Sequence, residues 1–171
     1  MTAEDWNARV TATWDEAASL PEAEVLERID ALAAERSDDD PAAAFERASA
    51  RDFVGLESEA EVLYRQALAS EELDGYRRAR ATIQLASTLR ILGKLEESER
   101  LLVALLDRHV SSEGPRQLHD EARAFLALTW VAQGRAAEAA GLVLSTLSPH
   151  LSRYHRSVSG NAAELVETSW D

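Results

Sequence analysis

Cysteine is absent from the 171-residue chain, so it can form no disulfide and no thiolate zinc site, and it carries no thiol nucleophile. Glycine and proline are scarce, at 7 and 4 residues, and few residues are β-branched. With so few breakers, the abundant Ala, Leu, Glu and Arg have the composition of helices. Positive charge is short as well: 18 Lys and Arg against 31 Asp and Glu leave a net charge of −13. A surface of that sign repels a phosphate backbone, which argues against general nucleic-acid binding. No run approaches the ~18 uninterrupted apolar residues of a membrane span. The first residues, Met1-Thr2-Ala3-Glu4-Asp5-Trp6, lack the basic start and apolar stretch of a secretory signal. The expected location is cytoplasmic.

Catalytic signatures are also missing. There is no GxSxG elbow, no glycine-rich phosphate loop, no dinucleotide fingerprint and no HExxH pair. His150 and His155 stand five apart, which does not place them well on one helix face, and His109 and His119 flank a loop. No metal, no cofactor and no enzymatic activity are therefore expected. A chain of this length suits one domain or a short repeat array, able to bury about 70% of its unfolded surface.

What is present is periodicity. Over residues 3–19, Trp6, Val10, Trp14 and Ala17 recur at spacings of four, four and three, one face of a helix. Ser19 is a candidate N-cap for a second helix, with Glu22 three residues on and Pro21 tolerated in the first turn. That helix turns Val25, Ile29, Leu32 and Ala33 inward and ends near Arg36. The polar run Ser37-Asp38-Asp39-Asp40-Pro41 reads as a linker, with Asp40 capping the next helix. It lacks the glycine-centred alternation of oxygen ligands that a calcium loop needs.

From Pro41 a unit repeats three times. Ala48, Ala86 and Ala127 are each followed seven residues later by Gly55, Gly93 or Gly134. Glu59, Glu97 or Glu138 comes four residues beyond, and a small residue, Ala60, Ser98 or Ala139, follows at once. The blocks close with Leu63, Leu101 and Leu142, then Leu68, Leu106 and Leu147. The glycine marks where a first helix must stop, because glycine reaches the left-handed conformation without steric cost. The small residues let two antiparallel helices approach, and the leucines are expected on the inner flank of the second helix. Such hairpins cannot bury an apolar face alone, so neighbours must stack. The expected layout is one domain over 1–171: a helical pair at 3–36, hairpins at 41–70, 75–110 and 115–148, and a last helix at 149–168. Block starts lie 38 and 41 residues apart, the extra length falling in the connections 69–75 and 109–115. The last helix would carry Leu151, Tyr154, Val158, Ala162 and Leu165 on one face, with a break or bend at Gly160-Asn161.

These blocks resemble tetratricopeptide repeats. The matching residues are Leu85, Ala86, Leu89, Gly93, Ser98, Leu102 and Leu105 in the middle block. Leu126, Ala127, Trp130, Gly134, Ala139 and Val143 match in the third, and Ala48, Gly55, Ala60, Tyr64, Ala67 and Leu68 in the first. The resemblance covers roughly 41–148, and the phrases Phe45–Asp52 and Ala81–Arg90 look like a compact bacterial tetratricopeptide-type family. The spacing exceeds the family's repeat of about 34 residues, and Arg47 and Arg51 stand where large apolar residues are expected; Arg51 could pair with an acid. The resemblance implies an all-α, right-handed superhelix of helical hairpins, with helical caps at both ends and a concave groove that binds peptides or partner proteins.

By that resemblance the first helix of each hairpin lines the groove. It offers Glu46, Ser49 and Asp52, then Arg80, Gln84, Ser87 and Arg90, then Glu121, Phe125, Leu128 and Val131. Arg80, Gln84 and Ser87, four and three apart, share a helix face with Arg90 on its flank. Arg77 and Arg78 lie one turn earlier. A planar arginine fork suits a carboxylate, so this strip could take an acidic peptide or a C-terminus. The plainer reading is that these arginines pair with acids of adjacent helices. Arg153, His155 and Arg156 form a second basic cluster, more simply read as exposed surface. Phe53, Tyr76, Phe125 and Trp130 read as core or hairpin packing. Trp170 could dock in a neighbour's groove. The expected function is non-catalytic binding of an unidentified protein or peptide. The alternatives are a self-associating scaffold, that is a homodimer, and, more remotely, an enzyme or small-ligand binder.

Overall fold

The computed structural model describes residues 2–110 and 118–167, and among these every regular element is helical. The chain divides into two compact units, Met1–Thr88 and Leu89–Asp171. No helix among the described residues is long and apolar enough to cross a membrane. Trp170 and residues 111–117 lie outside the described residues.

The first unit holds α1 (Ala3–Glu16), a 3-10 turn (Ala17–Ser19), α2 (Glu22–Ala33), α3 (Pro41–Phe53), α4 (Glu57–Ala69) and most of α5 (Gly75–Ile91). The expected apolar faces close on one another. Trp6, Val10, Leu32, Ala33 and Ala43 form one buried cluster, and Ala17, Val25, Ile29 and Ala50 form a second. Burying each large apolar side chain contributes about 1.5–3 kcal/mol. Trp6 satisfies its buried indole by donating from Nε1 to the Leu32 carbonyl at 2.8 Å. Asp40 caps α3 as expected, its Oδ1 accepting from the backbone of Ala42 at 2.9 Å and Ala43 at 3.0 Å. Ser19 does not cap α2: its hydroxyl donates back to the Glu16 carbonyl at 2.7 Å, closing the preceding turn, and Pro21 occupies the cap position. The arginines in the apolar columns are answered by Asp30. Arg51 grips it with both terminal nitrogens, at 2.5 and 2.9 Å, and the Arg47 Nε stands 3.7 Å away. That grip raises the Arg51 pKa through its hydrogen bond to Asp30.

The second unit holds the end of α5, α6 (Leu95–Val110), α7 (His119–Ala132), α8 (Ala136–Leu147), a 3-10 turn (Ser148–His150) and α9 (His155–Glu167). The helix expected over 149–168 is therefore shorter. Pro149 belongs to the 3-10 turn, and Tyr154 is left-handed at φ 66° and 76% exposed, so it cannot continue a helical face. Gly160-Asn161 causes no break, because α9 runs through it.

The three repeat glycines behave as the spacing requires, with φ of 75°, 75° and 84° at Gly55, Gly93 and Gly134. Around each, the glycine N–H reaches back three residues and the next N–H reaches back five. Leu56 donates to Arg51, Lys94 to Leu89 and Arg135 to Trp130, at 2.9, 2.8 and 2.8 Å. This bond pair satisfies the last carbonyls of the first helix and fixes where the second begins. The leucine columns sit differently from expectation. Ala60, Ser98 and Ala139 are buried, but Leu63, Leu68, Leu101, Leu106 and Leu142 are only half-buried and Leu147 is exposed. The inward position is one residue later, at Tyr64 and Leu102. Each lies four residues after the small residue and so on its face.

Candidate functional site

Most arginines of the first unit are committed to structure. Arg77 donates to Asn7 Oδ1 at 2.7 Å and Asp74 at 3.0 Å, reaches Glu46 at 3.4 Å and lies over the Trp6 ring, binding the start of α5 to α1 and α3. Arg78 donates to the Leu68 carbonyl at 3.1 Å and to that of Ser70, the carbonyls left open at the end of α4. Glu46, 2% exposed, accepts from Trp14 Nε1 at 2.8 Å. It is a buried tie between α1, α3 and α5, so it offers nothing to a groove. Asp74 is held below the ordinary carboxylate range: burial pushes it up, but hydrogen bonds from the Arg77 backbone and side chain outweigh it.

The remaining polar residues of α3 and α5 divide in two. Ser49 is buried, its hydroxyl donating to the Phe45 carbonyl at 3.0 Å. Asp52 is half-buried, accepting from Thr88 Oγ1 at 2.9 Å and from the Tyr64 hydroxyl at 3.4 Å. Burial raises the Asp52 pKa, with Glu57 adding to it and the two hydroxyls opposing. Burial first, and then the neighbouring Asp52 charge, also raise the Tyr64 pKa. This knot joins α3, α4 and α5. Arg80, Gln84 and Ser87 are not tied into it. The Arg80 guanidinium lies 5.1 Å from the Phe45 ring centre and 5.9 Å from that of Tyr76, an attractive cation–ring arrangement, and makes no ion pair among the described residues of its unit. Gln84 Oε1 is buried without a donor. Phe53 and Tyr76 are 47% and 52% exposed, so of the core or hairpin packing expected for them neither is core. Phe53 stands edge-on to Trp14 at 6.0 Å, and Tyr76 flanks Arg80.

In the second unit Arg90 is half-buried with an unpartnered buried Nε. On α7, Glu121 is exposed at the first turn, Phe125 is half-buried, and Leu128 and Val131 are exposed. Arg153, His155 and Arg156 are exposed around the start of α9. The sequence reading missed Glu99, which accepts from Trp130 Nε1 at 2.7 Å, Gln133 Nε2 at 2.8 Å and Arg135 Nη1 at 2.8 Å. Arg135 also pairs with Glu138 and stacks 4.6 Å from the Trp130 ring. Burial pushes the Glu99 pKa up, but the three donors overcome it and leave it lowered. The visible signal was the run Trp130 to Arg135 at the hairpin turn; its acid lies more than 30 residues away in sequence, where no local pattern reaches. Among the described residues no cluster of His, Asp and Glu could hold a metal.

A family model described as Tetratrico peptide repeat matches residues 41–165. The chain belongs to the tetratricopeptide repeat family. The match takes in the three hairpins and nearly all of α9, further than the 41–148 legible from the repeats. No curated protein and no solved structure gives a match. Tetratricopeptide repeats generally mediate protein–protein interaction. On that frame, Arg80, Gln84 and Ser87 of the first unit are polar groups that the fold leaves uncommitted.

Proposed function

We propose that the protein is a non-catalytic binding module, and that Arg80, Gln84 and Ser87 on α5 receive an acidic peptide segment or a C-terminal carboxylate. One observation carries the reading. The other arginines of the first unit each have a carboxylate or backbone carbonyl partner: Arg9, Arg28, Arg36, Arg47, Arg51, Arg65 and Arg77 with acids, Arg78 with carbonyls. Arg80 has only the two rings, which orient its fork without neutralising it. A peptide brings what is lacking, a carboxylate for Arg80. Such charge-assisted pairs are worth about 1.5–3 kcal/mol each. Within the second unit, taken by itself, Arg90, Phe125 and Leu128 are proposed contacts.

The test is fluorescence anisotropy against a peptide array in which each sequence appears with a free and an amidated C-terminus, and with acidic or neutral side chains. Carboxylate-dependent binding that Arg80→Ala abolishes and Arg80→Lys restores only in part is the expected result, because lysine supplies the charge without the fork. Binding that is indifferent both to the carboxylate and to Arg80 would overturn the proposal.

A further inference from the structure

Charge pairing in the first unit leaves a carboxylate over as well as a cation. Of its acids withdrawn from solvent, Glu24, Asp30, Asp40, Glu46 and Glu61 each pair with an arginine, at 2.5–3.4 Å. Asp52 is half-buried too, yet no cation pairs with it among the described residues. Its carboxylate is nevertheless fixed, by Thr88 Oγ1 at 2.9 Å and the Tyr64 hydroxyl at 3.4 Å. Two neutral donors hold its direction without cancelling its charge, and a carboxylate has room for further donors. Burial keeps its pKa above the ordinary value, the two hydroxyls oppose this, and the Glu57 charge adds to the rise. An uncompensated charge held in one orientation is characteristic of a site that a ligand completes.

We infer that Asp52 receives a basic side chain of the bound peptide, a lysine or arginine upstream of a C-terminal carboxylate that Arg80 takes. This rests on the binding role proposed for Arg80 and adds the partner's second charge and its spacing. Arg80, Gln84 and Thr88 follow at intervals of four on α5, so they lie along one side of it. Thr88 holds Asp52, which puts the spare cation and the spare anion two turns apart, about 12 Å along the axis. An extended peptide advances about 3.3 Å per residue. A carboxylate at Arg80 therefore brings roughly the fourth residue from the C-terminus to Asp52, the peptide running antiparallel to α5. Between the two charges Ser87 is half-buried with no side-chain partner among the described residues, a donor and acceptor for peptide backbone. Net charge points the same way: a chain at −13 repels a purely acidic ligand and attracts one that carries a cation. Among the described residues no group of three His, Asp and Glu stands ready for a metal ion, so the cation that suits Asp52 is an ammonium or guanidinium.

The test is a lysine scan on the full chain. Short fluorescein-labelled alanine–leucine peptides with a free C-terminus carry one lysine, moved upstream a residue at a time from the last position. Anisotropy should show affinity rising about tenfold as the lysine reaches the fourth position or its immediate neighbours, and norleucine there should remove the gain. This position dependence is read on the parent chain, whatever the behaviour of a variant. With Asp52→Asn, an isosteric change that keeps an acceptor for Thr88, the gain should vanish while dependence on the carboxylate and on Arg80 remains. That retained dependence also shows the variant to be folded. A lysine effect equal at every position, or one that survives Asp52→Asn, would overturn the inference and leave the Arg80 site standing. Binding indifferent to the carboxylate, or no saturable binding up to about 1 mM, would overturn both.

Discussion

Gly141, Gly160 and Gly93 should answer the same substitution, glycine to alanine, in three different ways. All lie in the second unit. Gly160 is exposed inside α9, and a Cβ there meets nothing within 4 Å. The change removes the backbone freedom of glycine from the unfolded chain and should stabilise by about 0.5–1 kcal/mol. Gly93 also has open space, but its φ is +75°. The added Cβ then meets its own backbone, at a cost of about 1–2 kcal/mol. Gly141 lies mid-helix in α8, so alanine gains the same ~1 kcal/mol of propensity. Its Cβ, however, would stand 2.7 Å from Val166 Cγ2 and 2.8 Å from the Ala162 carbonyl oxygen. The valine tip can rotate; the carbonyl belongs to the α9 backbone and cannot move without the helix. Overpacking of this kind costs about 1–3 kcal/mol, which leaves a net loss of about 1 kcal/mol and an α9 displaced from α8. Urea unfolding followed by circular dichroism gives the three free-energy changes, and hydrogen exchange across 155–167 reports the displacement. A Gly141→Ala variant as stable as Gly160→Ala, with α9 equally protected, would refute the claim that backbone contact rather than propensity decides this position.

The remaining predictions concern charge. Replacing Arg51 with Ala removes the two-pronged bond to Asp30 and should cost about 1 kcal/mol, with Arg51→Lys recovering only part in the same unfolding assay. Asp52 has a raised folded pKa, so the fold favours its protonated form. Its contribution is greatest below the unfolded value near ~4 and is lost as pH rises through the folded value. Asp52→Asn should therefore gain stability relative to the parent at neutral pH and lose that advantage in acid. Glu99 has the opposite sign, because its folded pKa is lowered. Its contribution is present above the unfolded value near ~4.3 and lost as pH falls through the folded one, so Glu99→Gln should be destabilised at neutral pH and converge on the parent in acid. Unfolding free energies measured from pH 3 to 8 check both signs.

The repeat grammar was legible because it is written in residues with steric consequences at short range. Glycine at a fixed offset specifies a left-handed stop, Asp40 before Pro41 specifies a cap, and apolar residues at helical spacing specify a buried face. Those three rules placed the hairpins and the all-α class. The commitments of the arginines were not legible. Arg77, Arg78 and Arg80 fall within four consecutive positions of one helix, yet the first is pinned by Glu46 and Asn7, the second by the end of α4, and the third lies only against aromatic rings. Nothing local distinguishes them. Ser49 looked like a groove residue because its helical phase is right, and became interior because Tyr64 packs over it. Tyr154 looked like a helix face until its positive φ delayed α9 to His155.

Sequence by itself thus determined where each helix begins and ends around the repeat glycines, since capping and left-handed geometry act within a few residues. Tertiary structure alone decided which charges are spent and which are spare. Asp30 for Arg51, Glu46 and Asn7 for Arg77, and Trp130 for Glu99 lie more than 20 residues away in the chain, and only packing brings them within reach. The unclaimed fork of Arg80 stands out only against that completed pairing.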